Sequence, residues 1–93
     1  GQKEKARGVY GKAIRLDNSI YEVWSSLLRL DAEFGQADSL IKHSEQALEL
    51  FPNQGEFWYF NGYAYLLKKN YQKAVDALES GKKLALSDAK LLN

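Results

Sequence analysis

The sequence contains no cysteine, no methionine and only one proline among its 93 residues. Without cysteine, the chain can form neither a disulfide nor a thiolate metal site, and it has no cysteine nucleophile. The compartment stays open, because proteins of either redox setting can lack cysteine. Since a natural reading frame starts with methionine, we interpret Gly1 as a cloning remnant. We therefore expect the chain to be an excised piece of a longer protein, with any targeting signal outside it.

Long apolar runs and a strong charge of one sign are also missing. The longest apolar run, from Phe57 to Leu67, is interrupted by Asn61 and Gly62 and is well short of the roughly 20 residues of a membrane-spanning helix. The net charge is only +1, and residues 21–54 carry two basic and six acidic side chains. The short run predicts no membrane span in this segment, and the balanced charge predicts no nucleic-acid partner. A nucleic-acid-binding helical repeat is a weaker alternative, supported only by lysine pairs such as Lys82-Lys83.

Histidine is nearly absent as well. His43 is the only one, so it has no second histidine with which to build a metal site. Ser39 lies one helical turn before it, but no nucleophile elbow or oxyanion-forming glycine loop accompanies the pair. We therefore expect no catalytic residues, no metal and no cofactor.

What the sequence does contain is a repeated spacing. The interval from Trp24 to Trp58 equals the interval from Asn18 to Pro52. The same interval relates three further sets, which are Ala6, Leu40 and Ala74; Ala13, Ala47 and Gly81; and Leu16, Leu50 and Leu84. A fixed period of this length, about 34 residues, is typical of stacked helical repeats rather than of one globular core.

Apolar residues recur at steps of three and four along the whole chain. This spacing predicts five helices, at about 3–17, 20–34, 37–50, 54–68 and 71–86. Because the loops between them have only two to four residues, neighbouring helices should be antiparallel.

Several residues are expected to mark the helix ends. Ser19 with Glu22 forms a capping-box pattern before the second helix, and Asn53 with Glu56 repeats it before the fourth. Gly35 and Pro52 are expected to end the second and third helices. Ser87 would cap one more helix, whose start occupies residues 89–93.

The second helix pair resembles the tetratricopeptide repeat, a helix–turn–helix of about 34 residues with the pattern W-x2-L-G-x2-Y, then A-x3-F, then P. Its positions are occupied here by Trp58, Asn61, Gly62, Tyr65, Ala74, Leu78 and Leu86. In the first pair they are occupied by Trp24, Leu27, Leu28, Asp31, Leu40, Ser44 and Pro52. The clearest departures are Leu28 in place of glycine and Asp31 in place of tyrosine.

The resemblance implies an all-α fold, a right-handed solenoid of antiparallel helix pairs. Residues 1–20 would form the second helix of a partial repeat, and residues 21–54 and 55–88 two complete repeats. The small residues Ala13, Ala47 and Gly81 would allow close helix approach. Trp24 and Trp58 would fill the space between paired helices, so that truncating either to alanine should cost roughly 3–5 kcal/mol.

Tetratricopeptide arrays hold an extended peptide or a partner helix in a concave groove lined by the first helix of each pair. The resemblance places eight residues on that surface: Glu22, Ser25, Arg29, Ala32, Glu56, Tyr59, Tyr63 and Leu66. We expect Tyr59 and Tyr63 to be the main ligand contacts, because tyrosine combines rigid apolar area with a hydroxyl. The alternative is that both pack against a neighbouring repeat absent from this chain.

One subfamily of these arrays grips the C-terminal carboxylate of heat-shock chaperones with a cluster of lysine, arginine and asparagine. Here the surface offers only Arg29, beside Glu22 and Glu56, and two carboxylates would repel an acidic tail. We therefore expect a different partner.

The function predicted from the sequence is a non-catalytic scaffold for protein–protein interaction. A competing interpretation is structural: the segment would be a spacer or a self-associating surface within a larger array. The ends of the chain favour self-association, because the first helix lacks its pairing partner and the last repeat lacks a polar capping helix.

Overall fold

The structure is a computed structural model that describes the backbone of residues 1–92 and the side chains of residues 1–87. It contains five helices: α1 (Gln2–Leu16), α2 (Tyr21–Glu33), α3 (Ala37–Leu50), α4 (Gly55–Leu67) and α5 (Tyr71–Leu92). Each helix packs against the next one along the chain, and α2 also packs against α4. No strand occurs among the described residues. The prediction of an all-α array of helix pairs is confirmed, with overall dimensions of 43 × 30 × 20 Å.

The two turns within the helix pairs α2–α3 and α4–α5 have the same geometry. Gly35 and Lys69, which occupy equivalent positions of the two repeats, both have left-handed backbone conformations, with φ angles of 62° and 60°. In each turn this residue donates its N–H to the carbonyl three residues earlier, and the next residue donates to the carbonyl five residues earlier, all at 2.9–3.0 Å. These bonds define the Schellman motif. Gly35 thus ends α2 as predicted, while the equivalent turn carries a lysine in a conformation that favours glycine.

The two tryptophans repeat the same contact. The indole N–H of Trp24 donates to the carbonyl of Asn18 at 2.9 Å, and that of Trp58 donates to the carbonyl of Pro52 at 3.2 Å. Each indole therefore hydrogen-bonds the first helix of a pair to the loop that precedes it. Trp24 is 3% exposed, whereas Trp58 is only half-buried.

The core continues from one helix pair to the next. One cluster of buried apolar residues comprises Trp24, Leu28, Leu40, Ala47, Phe57 and Ala64. Phe57 is fully buried, and its ring stacks on Tyr21 at 5.1 Å and meets the edge of Phe51 at 6.0 Å. Burying one such ring stabilises the fold by about 2–3 kcal/mol. Because Tyr21 and Phe57 lie in the first turns of α2 and α4, the first helices of two different pairs, their stacking also joins the pairs.

Small residues lie where helices approach closely. A Cβ atom added at Gly62 of α4 would lie 2.9 Å from Cγ of Leu78 in α5. One added at Gly81 would lie 3.3 Å from Cβ of Trp58. Ala47 is fully buried, whereas Ala13 is half-buried on α1.

The predicted capping boxes are wrong. α2 begins at Tyr21 with Ile20 as its N-cap, and α4 begins at Gly55 with Gln54 as its N-cap, neither with a side-chain capping bond. Ser19 and Asn53 each lie one residue too early to cap. The hydroxyl of Ser19 donates to Oδ1 of Asp17 at 2.6 Å.

The end of the chain also differs from the prediction. Instead of stopping near residue 86, α5 continues without a break through residues 89–92, where the start of a next helix was expected. The sequence after Gly81 contains no glycine or proline up to Leu92, so nothing ends the helix. Asn93, also part of that expected helix, lies outside the described residues. None of the described helices is long and apolar enough to cross a membrane.

Candidate functional site

An open cavity of about 720 Å³ lies between the first helices of the two pairs, α2 and α4. Its lining residues are Arg29, Ala32, Glu33, Glu56, Tyr59, Phe60 and Tyr63. The size falls within the range of about 300–1,000 Å³ that is usual for ligand pockets. The packing of α2 against α4 forms this cavity, since it brings one face of each helix to the same side of the array.

Five of the eight residues predicted for the groove line this cavity: Arg29, Ala32, Glu56, Tyr59 and Tyr63. The other three do not. Glu22 and Leu66 are exposed outside it, and Ser25 is buried, with 7% of its surface accessible.

Two lining residues, Glu33 and Phe60, were missed. Glu33 lies one helical turn after Arg29, so helical spacing could have found it. Phe60 is half-buried against the core and lies one helical turn after Glu56, so the same spacing could have found it.

Ser25 and Glu56 form a bridge between the two pairs. The Ser25 hydroxyl donates to Oε1 of Glu56 at 2.7 Å, and the Tyr21 hydroxyl donates to Oε2 of the same carboxylate. The bond to Glu56, together with desolvation, raises the pKa of Tyr21 to about 12. The Glu56 carboxylate is therefore held by two donors as part of the cavity wall.

The charges around the cavity are unequally satisfied. Glu33 accepts a hydrogen bond from the ammonium of Lys3 at 3.0 Å, and Glu56 is held by Tyr21 and Ser25. Arg29 is exposed and, within the part of the chain that the structure describes, makes neither an ion pair nor a side-chain hydrogen bond. Arg29 is therefore the charged lining residue that has neither an ion pair nor a side-chain hydrogen bond among the described residues.

The tyrosine rings give the cavity its exposed apolar surface. Tyr59 is 47% exposed and Tyr63 is 43% exposed, one helical turn apart on α4. Ala32 of α2 lies opposite as a small lining residue. A contiguous apolar patch rimmed by polar side chains is typical of an interaction surface.

A second polar cluster, which sequence reasoning missed, lies apart from the cavity. Asp31 is completely buried, with Oδ1 2.5 Å from Nε of Arg7 and Oδ2 2.6 Å from Nδ1 of His43. Arg7 also donates to the Ser39 hydroxyl at 3.1 Å. The cluster ties α1, α2 and α3 together. The signal that could have found it is the carboxylate at the tyrosine position of the pattern, because a buried charge requires a partner.

Among the described residues, Ser39 and His43 are not hydrogen-bonded to each other as a nucleophile and its base would be. The serine hydroxyl is bound by Arg7, and the imidazole is bound by Asp31. Among the described residues, no group of three or more histidine, aspartate or glutamate side chains could hold a metal ion.

No protein-family model matches the chain. Among curated proteins, the chain is similar to "Small glutamine-rich tetratricopeptide repeat-containing protein 2" of Mycosarcoma maydis, with 33% identity over 72 residues. The match covers 77% of this chain but only 20% of that protein, so the chain spans about a fifth of its relative's length. The similarity agrees with the tetratricopeptide resemblance of the sequence and with the periodic recurrence of the turns and tryptophan contacts.

Proposed function

We propose that the chain is a tetratricopeptide-repeat segment that binds a segment of a partner protein in the cavity between α2 and α4, without catalysing a reaction. The observation that carries this proposal is the pair of half-exposed rings, Tyr59 and Tyr63, that line a cavity of about 720 Å³. The partner segment would be an extended peptide or a helix.

The tyrosines suit this role energetically. Each presents a rigid apolar ring whose immobilisation costs little conformational entropy, and its hydroxyl can still meet a polar group of the partner. Neither hydroxyl makes a hydrogen bond within the described residues, in contrast to those of Tyr21 and Tyr65. The name of the related protein, which refers to tetratricopeptide repeats, also supports an interaction role.

The test is binding of a peptide-display library to the protein and to two alanine variants, Tyr59→Ala and Tyr63→Ala. Each should lose most of the selected peptides while keeping its helical circular dichroism. Tyr71→Ala is the matched control, because Tyr71 is 61% exposed on α5 and does not line the cavity. Equal loss in the control, or full binding by both groove variants, would contradict the proposal.

The alternative of a spacer or self-associating segment is supported by apolar side chains on the terminal helices. Val9 and Leu16 of α1 are 62% and 90% exposed, and Val75 of α5 is 47% exposed. Sedimentation over a range of concentrations distinguishes this role, because a self-associating chain would shift from monomer to dimer. A Leu16→Ser variant should then move the equilibrium toward the monomer.

A further inference from the structure

We infer that the partner segment presents one bulky apolar side chain close to one carboxylate. The apolar side chain would lie against Tyr59 and Tyr63, and the carboxylate would pair with Arg29. This inference rests on the proposed function, because it specifies the chemistry of the segment that occupies the same cavity.

The charge argument comes from the three ionisable side chains other than tyrosine that line the cavity. Glu33 is paired with Lys3, and Glu56 accepts hydrogen bonds from Tyr21 and Ser25. Arg29 has no partner among the described residues. A guanidinium binds a carboxylate through parallel N–H donors, and such charge-assisted bonds are about twice as strong as neutral ones. An acidic residue of the partner is therefore the complement that this rim lacks.

The same neighbours restrict the number of acidic groups. The carboxylates of Glu33 and Glu56 line the same cavity as Arg29. A second acidic residue of the partner would have no cation to meet and would be repelled by them. A segment with a single carboxylate is thus favoured over an acidic run, in agreement with the absence of a basic cluster among the described residues at this surface.

The apolar requirement comes from the rest of the lining. Tyr59 and Tyr63 expose ring surface, and Ala32 and Phe60 complete the lining without adding a charge. A bulky aliphatic or aromatic side chain would remove this surface from water, and burial of apolar surface favours binding.

The shape of the site favours a protein segment over a small amphiphile such as a fatty acid. The cavity is an open groove between two helices and does not enclose its contents. Small-molecule sites usually bury about 70–90% of their ligand, which an open groove cannot do. A polypeptide does not need to be enclosed, because its flanking residues extend beyond the groove and remain in water.

The experiment compares selection from one peptide-display library on the wild-type protein, Arg29→Glu, Arg15→Glu and Tyr59→Ala. Wild-type selections should enrich peptides with a bulky apolar residue and a nearby aspartate or glutamate. Those peptides should bind Arg29→Glu roughly tenfold or more weakly, as expected for loss of a charge-assisted bond. Selection on Arg29→Glu should instead enrich lysine or arginine. Arg15→Glu makes the same charge change at an exposed site outside the cavity and should leave binding unchanged.

The outcomes separate this inference from the proposed function. Peptides that need Tyr59 but lack acidic residues, and bind Arg29→Glu as tightly as wild type, would overturn the inference and leave groove binding intact. Failure to enrich any peptide that depends on Tyr59 would overturn both. Competition by sodium oleate with Tyr59-dependent binding, in the absence of any acidic preference among peptides, would likewise overturn the assignment to a protein segment.

Discussion

The carboxylate of Asp31 is completely buried and lies 2.5 Å from the Nε atom of Arg7, a residue 24 positions earlier in the chain. This ion pair holds α1 against α2. The other carboxylate oxygen of Asp31, Oδ2, lies 2.6 Å from Nδ1 of His43 in α3. Three helices thus meet at one carboxylate. Removal of Arg7 or His43 would leave one oxygen of the buried Asp31 carboxylate without its partner.

Replacing Arg7 with alanine should lower the free energy of unfolding by about 3 kcal/mol, because it leaves the buried Asp31 carboxylate with only the imidazole. Lys3→Ala provides the control. It removes an ion pair with Glu33 whose lysine side chain is 71% exposed, and it should cost less than about 1 kcal/mol. Urea denaturation of both variants measures the difference. Equal midpoints would show that the buried pair contributes no more than the surface pair.

Gly62→Ala should destabilise the protein by about 1–3 kcal/mol, because the new methyl group would lie 2.9 Å from Leu78 Cγ and 3.3 Å from the Ala74 carbonyl. Gly8→Ala is the matched control within a helix. Nothing lies within 4 Å of the added methyl there, so this change should stabilise α1 by up to about 1 kcal/mol. Thermal denaturation should therefore show opposite shifts. A rise in melting temperature for both would mean that α4 and α5 move apart at no cost.

Lys69→Gly should raise the free energy of unfolding by up to about 1 kcal/mol, because glycine adopts the left-handed conformation of φ 60° without a Cβ clash. The reverse change at the equivalent turn, Gly35→Lys, should destabilise by a similar amount. Denaturant unfolding measures the change in the free energy of unfolding for each variant. If the two changes shifted stability in the same direction, the shared backbone geometry of the turns would not be the cause.

Alkaline pH should weaken the fold through two tyrosines. Hydrogen bonds to Glu56 and Glu45 raise the pKa values of Tyr21 and Tyr65 from 10.0 to about 12. Below pH 10 both hydroxyls are neutral in the folded and the unfolded chain, so their bonds contribute fully. Between pH 10 and 12 the unfolded chain ionises first, and stability falls as pH rises.

Tyrosinate absorbance during an alkaline titration measures this effect. In the folded protein, part of the rise in tyrosinate absorbance should occur near pH 12, and this part should be smaller in Tyr21→Phe and in Tyr65→Phe. Both variants should also lose less stability between pH 10 and 12. A single phase near pH 10 in the wild-type protein would contradict the two bonds.

Much of the helical layout could be predicted because it depends on local rules. The apolar spacing fixes five helices, and Gly35 and Pro52 end α2 and α3 as their backbone chemistry requires. The two predicted capping boxes failed because a cap depends on the exact first turn, which pattern reasoning locates only to within a residue or two. Ser19 lies one residue before the observed N-cap, Ile20.

The lining of the cavity between α2 and α4 was only partly predictable, because position on one helix does not reveal contacts with another. Arg29 and Tyr63 line the cavity as the register suggested, whereas Ser25 is buried by its bond to Glu56 from the next pair. Asp31 is a similar case, since its partners lie 24 and 12 residues away in sequence. The same cost was expected for truncating Trp24 and Trp58 to alanine. Because Trp24 is buried and Trp58 only half-buried, the truncation of Trp24 should cost more.

The packing order of the helices has a mechanical consequence. Among the described helices, α5 packs on α4 alone, and the most distant side-chain hydrogen bond, between Tyr21 and Glu56, spans 35 residues. Among the described residues, α1 does not pack against α5. A force applied to the two ends of the array therefore acts on the helix pairs in series. Under such a load the chain should lengthen in steps, releasing α5 while the Asp31 cluster still holds α1, α2 and α3 together.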